Sequence, residues 1–205
     1  MDFLNILLYL TAYFLSAIPF GFILAKKFAD IDVRKEGSGN IGATNVLRVL
    51  KEKAPHLAKK LSIITLALDA LKGAIVVLIA MALGAEPSVL WTIAVLSVLG
   101  HCFSPFLGFE GGKGVATGFG VLLVLLPIPA LIAIATWFIA GKVLKISSLS
   151  SLIGLVALII SAYSIYPTLP GINAHAPMMI IAFIIFYKHI PNIIRLIKKE
   201  ETKVV

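Results

Sequence analysis

Cysteine and acid are both scarce in this chain. A single cysteine, Cys102, among 205 residues excludes an internal disulfide and a cysteine-rich metal site. The four histidines make no H-x-x-x-H or H-E-x-x-H pairing, so no zinc site is expected, and no cofactor. No G-x-S-x-G elbow is present, which removes the usual serine acyl-enzyme. No histidine is followed by aspartate five positions on, so a His/Asp acyltransfer pair is missing too. Charge itself is scarce, at 14% of residues.

What fills the chain is apolar. Hydrophobic residues make up 60% of it and the mean hydropathy is +1.03, with several stretches of 18 or more residues almost free of charge. That composition excludes a soluble domain and implies one all-α polytopic membrane domain over residues 1–205, without linker or repeat. Seven spans are expected, at about 3–25, 61–83, 89–107, 115–126, 130–141, 148–166 and 177–188. The first has Asp2 and no basic residue before it, and it is too long for a signal-peptide core.

A net charge of +8 would suit nucleic acid, but its distribution argues for a membrane and against nucleic acid. With the N-terminus outside, 17 of 18 Lys and Arg residues fall on the cytoplasmic side, Lys72 being the exception, and the outer side keeps only the acids Asp2 and Glu86. This parity decides the weakest stretch, 115–141. Read as a single helix, it would carry the basic tail outside. Pro127 and Pro129 instead break it into two short helices.

Three polar constellations gather on the cytoplasmic side. The first is GSGNIGATNVLR, Gly37 to Arg48. Gly37, Gly39 and Gly42 let a ligand approach bare backbone, and Ser38, Asn40, Thr44 and Asn45 supply neutral hydrogen-bonding groups. Arg48 adds a planar fork suited to phosphate. A helix starting after Gly42 would align Thr44, Asn45 and Arg48 and turn its free N–H groups toward an anion. The glycines match G-x-G-x-x-G, but no hydrophobic strand precedes them and no acid follows at the required distance, so a dinucleotide site is excluded.

The second is GFEGGKGVAT, Gly108 to Thr117, where Gly111, Gly112 and Gly114 surround Lys113. It lacks the first glycine and the Ser/Thr of a Walker A loop, and reads as a general anion site at a helix N-terminus. His101 and Ser104, just upstream, are expected to support it. The third is KHIPNIIR, Lys188 to Arg195. His189 and Asn192 offer a neutral base and a bifunctional amide near the bilayer, while Arg195, Lys198 and Lys199 read as a headgroup-facing tail. Asp69 and Lys72, one turn apart inside the second span, are expected to pair and brace the site, with Gly73 allowing close helix packing.

Taken together, GSGNIGATNVLR, GHCFSPFLGFEGGKGVAT and HIPNIIRL, with DALKG in the second span, resemble the motifs of the bacterial acyl-phosphate–glycerol-3-phosphate acyltransferases. KEKAPHLAKK and the ETKVV tail carry no sign of that family. The resemblance implies acyl transfer from acyl phosphate to the 1-position of sn-glycerol 3-phosphate, giving lysophosphatidic acid and phosphate at the start of phospholipid synthesis. It implies a multi-pass protein of the bacterial inner membrane, active as a monomer. Ser38, Arg48 and Lys113 would clamp phosphate, Asn45 and Asn192 would orient the acceptor, and His189 or the donor's own phosphate would take the proton. A transporter of a phosphorylated solute is the competing class, since broken helices and buried Asp69 and Lys72 would suit one. The one-sided polar residues and the lack of an inverted repeat count against it.

Overall fold

The computed structural model describes residues 2–203, and among these every regular element is helical. Prolines set most of the boundaries. α1 (Phe3–Ala17) and α2 (Phe20–Ala29) are one apolar run broken at Ile18–Pro19. α4 (Pro55–Ala82), α5 (Pro87–Cys102) and α7 (Pro127–Leu144) each begin on a proline, whose missing N–H costs nothing in a first turn. α8 (Ser147–Ile165) follows α7 after a two-residue turn. α9 (Ala176–Lys188) and α10 (Ile190–Ile197) meet at a 52° bend.

Five of these stretches are long and apolar enough to cross a bilayer, and the bent α9–α10 pair makes a sixth. α6 (Val115–Leu125), at 11 residues, is the short one. Its length of about 16 Å is half a bilayer's core. The sequence pattern expected helices over 115–126 and 130–141 separated by a Pro-containing loop. The structure shows a break of one residue, Leu126, with Pro127 already helical.

α6 is short because it starts deep in the bundle. Thr117 Oγ1 donates to the Asp69 carbonyl at 2.8 Å, and a Cβ on Gly73 would meet Val121 and Thr117. Asp69 lies about 21 Å along α4 from Pro55, at 1.5 Å per residue. The glycine loop before α6 therefore descends into the helices rather than capping them.

The main core joins α1, α4, α5, α6, α8 and α9 around Trp91, Ile93, Leu122 and Ile181. α1 and α5 run parallel at close range: Ser104 Oγ donates to the Ala17 carbonyl at 2.7 Å and Tyr13 Oη to the Phe103 carbonyl at 2.8 Å. A second, smaller core lies at the end where the basic loops gather. There the amphipathic α3 (Ala43–Lys53) buries Val46, Val49 and Leu50 against Ala25, Val33, Ala58 and Leu61. Burial of three such side chains, at about 1.5–3 kcal/mol each, holds α3 across the mouth of the bundle.

Candidate functional site

Four helices point their N-termini into one polar cavity of about 110 Å³. Gly42, Ala43 and Thr44 begin α3; Gly114, Val115 and Ala116 begin α6; Ser147 and Ser148 begin α8; His189 and Asn192 open α10. None of the four carries a side-chain N-cap. The first N–H groups and dipoles of α3, α6 and α8 are thus left for an anion, whereas α10 follows α9 directly and has Pro191, without an N–H, in its first turn. Arg48 and Lys113 line the same cavity, as do Ser38, Asn40, Asn45, Asp69 and His101.

Each loop is shaped by a local device. In the first, Gly37 and Gly39 adopt positive φ of 59° and 71°, and Asn45 reaches back from α3 to pin the chain. Its Oδ1 accepts from the Ser38 N–H at 2.8 Å. Its Nδ2 donates to the carbonyls of Val33, Glu36 and Asn40 at 2.9, 3.1 and 2.8 Å. Asn45, expected to orient an acceptor, lines the cavity with both Nδ2 hydrogens engaged on the loop.

In the second, the Gly111 and Gly112 N–H groups bond the carbonyls of Cys102 and His101 at 3.1 and 3.0 Å. The loop thereby lies on the His101 ring, where any Cβ at Gly112 would collide with Nε2. Gly114 takes φ of 81° as the chain turns into α6. This path delivers Lys113 to the cavity. Burial pushes the Lys113 ammonium down to about 8; Glu201 opposes that shift, and Arg195 and Arg48 add to it.

In the third, His189 sits between α9 and α10, 1% exposed. Its Nδ1 lies 2.7 Å from the Ile185 carbonyl. A carbonyl only accepts, so Nδ1 carries the proton and Nε2 keeps a lone pair for the cavity. Three buried polar atoms here have no hydrogen-bond partner: Arg48 Nε, Asn192 Oδ1 and His101 Nδ1, the last 3.7 Å from Asp69 Oδ1. Unpaired polar atoms on a cavity wall are what a polar ligand would satisfy.

Lys72 stays behind the wall. Its Nζ donates to Asp69 Oδ1 at 2.8 Å and to the Ile18 carbonyl at 2.9 Å, which also accepts from the Phe20 N–H at 3.1 Å beside the Ile18–Pro19 break. Gly37, Gly39, Gly111, Gly112 and Ser104 shape the loops and helix ends without lining the cavity.

The sequence reading missed Ser147, Ser148 and Ser151 on α8, together with Glu201. The serines could have been found as the polar face of SSLSS at the start of an apolar run. Glu201 gave no such sign. It folds back from the tail, and its Oε1 accepts from Ser148 Oγ and Asn192 Nδ2, both at 2.7 Å. Its Oε2 accepts from Arg195 Nε at 2.6 Å. Burial would raise this carboxyl, but bonds from Ser148, Asn192 and Arg195 outweigh it and hold it below its ordinary value.

The cavity continues into an apolar groove of about 330 Å³ between α4, α6, α7 and α8. Leu66, Val115, Ala116, Trp137 and Ser151 line both spaces. Ile63, Leu66 and Ala67 on its α4 side are exposed, so the groove opens sideways toward lipid. A polar pocket lined by Arg48 and Lys113 and joined to an apolar groove open at its side defines a membrane protein with one polar and one apolar site.

Comparison with known proteins agrees with that class. Residues 6–199 match the family described as Glycerol-3-phosphate acyltransferase. The glycerol-3-phosphate acyltransferase of a Nitratiruptor species is 60% identical over 207 residues, covering 100% of this chain and 99% of the relative. That of Campylobacter concisus is 60% identical over 201 residues, covering 98% and 99%. The crystal structure of PlsY (YgiH), an integral membrane glycerol 3-phosphate acyltransferase, in its glycerol 3-phosphate form, superposes with TM-score 0.86 at 35% identity, over 97% of this chain and 94% of that one. Its lysophosphatidic acid form gives 0.83. The chain belongs to the glycerol-3-phosphate acyltransferase family of integral membrane enzymes.

Proposed function

We propose that this enzyme transfers a fatty acyl group from acyl phosphate to the 1-hydroxyl of sn-glycerol 3-phosphate, releasing lysophosphatidic acid and inorganic phosphate. The reading rests above all on the junction of an anion cavity with an apolar groove: one substrate is all head, and the other has head and chain. The relatives' names supply the acceptor, and the two PlsY forms carry glycerol 3-phosphate and lysophosphatidic acid.

The donor is a mixed anhydride, already activated, so no acyl-enzyme is required. Its chain lies in the groove, and its carbonyl emerges near Val115, Ala116 and Ser151. Ser38, Arg48 and Lys113, with the N–H groups of α3, α6 and α8, hold the two phosphates. Asn192 Oδ1, buried and unpartnered, accepts from the glycerol and orients it. The 1-hydroxyl oxygen attacks the acyl carbon, the bond from that carbon to the phosphate oxygen breaks, and phosphate leaves. The proton goes to His189 Nε2, with the departing phosphate as the other acceptor within reach. Donors fixed around the cavity stabilise the charge that develops, and alignment of two bound substrates supplies on the order of 7–11 kcal/mol.

The test uses one purified sample and two donors of equal chain length. Acyl phosphate should yield lysophosphatidic acid and phosphate, acyl-CoA little or none, and chelator should change nothing. Lys113→Ala should depress turnover while Lys198→Ala leaves it near wild type. Efficient acyl-CoA turnover, or dependence on a divalent ion, would overturn the mechanism.

Orientation belongs to the same proposal: the N-terminus outside, the C-terminus and the cavity on the cytoplasmic face of the bacterial inner membrane. The basic loops support it, since all converge at the end of the bundle that holds the cavity. The monomer is the active form in this reading. In a Cys102→Ser background, cysteines at Lys145 and Lys203 should be shielded in intact cells from an impermeant thiol reagent, and one at Glu86 should react. Labelling at both Lys145 and Lys203 would reverse the topology.

A further inference from the structure

A third space adjoins the site. It is a cleft of about 270 Å³ between α3, α4, α7 and α8, with Thr44, Ser62, Lys145, Ser147 and Ser150 on its walls. Trp137 of α7 lines this cleft, the apolar groove and the polar cavity alike, and Leu66 of α4 stands opposite it in all three. Ala43, Thr44 and Ser147 also line both cleft and cavity, the two hydroxyl oxygens 3.1 Å apart, and Ile63 lines both cleft and groove. A Cβ built on Gly154 of α8 would lie 3.2 Å from Trp137 Cβ, so the two helices are in close contact at that level.

We propose that Trp137 is a specificity-determining residue: its ring is the partition that confines the donor's acyl chain to the groove and keeps it out of the cleft. The proposal rests on the reading of the groove as the acyl site. The physical reason lies in the solvent. A chain moving from lipid into the groove gains almost nothing from the hydrophobic effect, because lipid tails are as apolar as the groove. Burial energy therefore cannot choose the chain's course or its length; only the shape of the walls can. Trp137 is the one wall that all three spaces share with α7. Without its ring the groove and the cleft run together, and the chain acquires a second course past Thr44, Ser147 and Ser150. A chain lying there places its carbonyl away from Val115 and Ala116, where α6 begins.

The experiment measures donor kinetics across a series of acyl phosphate chain lengths, with purified wild type, Trp137→Ala and Trp137→Phe. Trp137→Ala should raise KM for the donor roughly tenfold, the scale at which an apolar wall discriminates. It should flatten the dependence on chain length while leaving KM for glycerol 3-phosphate unchanged, and Trp137→Phe should restore most of the preference. A uniform fall in kcat at all lengths, with donor KM and length preference intact, would overturn the proposal.

A binding measurement guards against an unstable Ala variant. The chain has two tryptophans, and the other, Trp91, is buried at the opposite end with its N–H on the Pro170 carbonyl at 3.3 Å. Acyl phosphate brominated in its chain, added without acceptor, should quench wild-type fluorescence saturably. Excess unbrominated donor should reverse the effect, and Trp137→Phe should lose it. Absence of saturable quenching would also overturn the proposal. Ala67→Phe, which fills the groove from its open edge, separates the two levels. If it leaves donor KM untouched at every length, the groove reading itself fails; if it raises KM while Trp137→Ala is silent, only the partition fails.

Discussion

Asn45→Asp, a change of almost no volume, is expected to lower kcat/KM by two orders of magnitude or more. Aspartate can still accept from the Ser38 N–H, but its second oxygen would face the carbonyls of Val33, Glu36 and Asn40, which now receive donated hydrogen bonds. An unsatisfied buried polar group costs roughly 1–3 kcal/mol, and more when it is charged. At about 1.4 kcal/mol per factor of ten, three such mismatches make the native loop a minor conformer. Ser38 and the start of α3 lose their places with it. The substitution also separates two roles for the residue. An amide that merely touched the acceptor would, once changed, raise KM for glycerol 3-phosphate and leave the donor unaffected; a loop pin should impair both. Asn45→Asp with only an acceptor KM effect would return Asn45 to substrate binding.

Much of this architecture was legible in the residues because membranes simplify the reading. The apolar runs gave the helices, but the starts at Pro55, Pro87 and Pro127 lie ahead of the expected 61, 89 and 130, because proline is admitted in a first turn that the apolar run does not reach. The start of α3 after Gly42 followed from a glycine-rich stretch passing into an amphipathic one. Three things lay outside that reading. The depth of the Lys113 loop depends on contacts between α4 and α6, Thr117 with Asp69 and Gly73 with Val121, which no local pattern encodes. Asn45 looked like one more polar site residue, since its four loop contacts span residues 33 to 40 and exist only once the chain has turned. Glu201 sits in a short charged tail of ordinary composition, and its meaning comes from the distant Ser148, 53 positions away. Periodicity reports faces of helices. It does not report what returns to them from elsewhere in the chain.

The position of the cavity explains why so many of its walls are helix starts. In the proposed reaction phosphate is held where the acyl chain can stay in lipid, hence below the membrane surface, and a bare charge there is expensive. Uncapped N-termini supply positive potential without burying additional ions. The two cations that do line the cavity, Arg48 and Lys113, enter from opposite walls, α3 and the glycine loop.

Lys72→Met should be the most destabilising single substitution in the bundle. Lys72 and Asp69 side chains are 2% and 3% exposed, and Nζ is also the donor to the Ile18 carbonyl at the α1–α2 break. Removing one partner of a buried pair costs roughly 3–5 kcal/mol, while the Ile18 carbonyl keeps its bond from the Phe20 N–H. Much of a domain's stability, about 5–15 kcal/mol, would go with it. The double variant Asp69→Asn with Lys72→Met should recover most of the loss, because it leaves no unpaired charge behind and the Ile18 carbonyl keeps its bond from the Phe20 N–H at 3.1 Å. Thermal unfolding in one detergent, followed for wild type, both single variants and the double, gives the coupling directly. If Lys72→Met alone unfolds at the wild-type temperature, the pair does not brace the fold, and the lysine must be explained by the reaction instead.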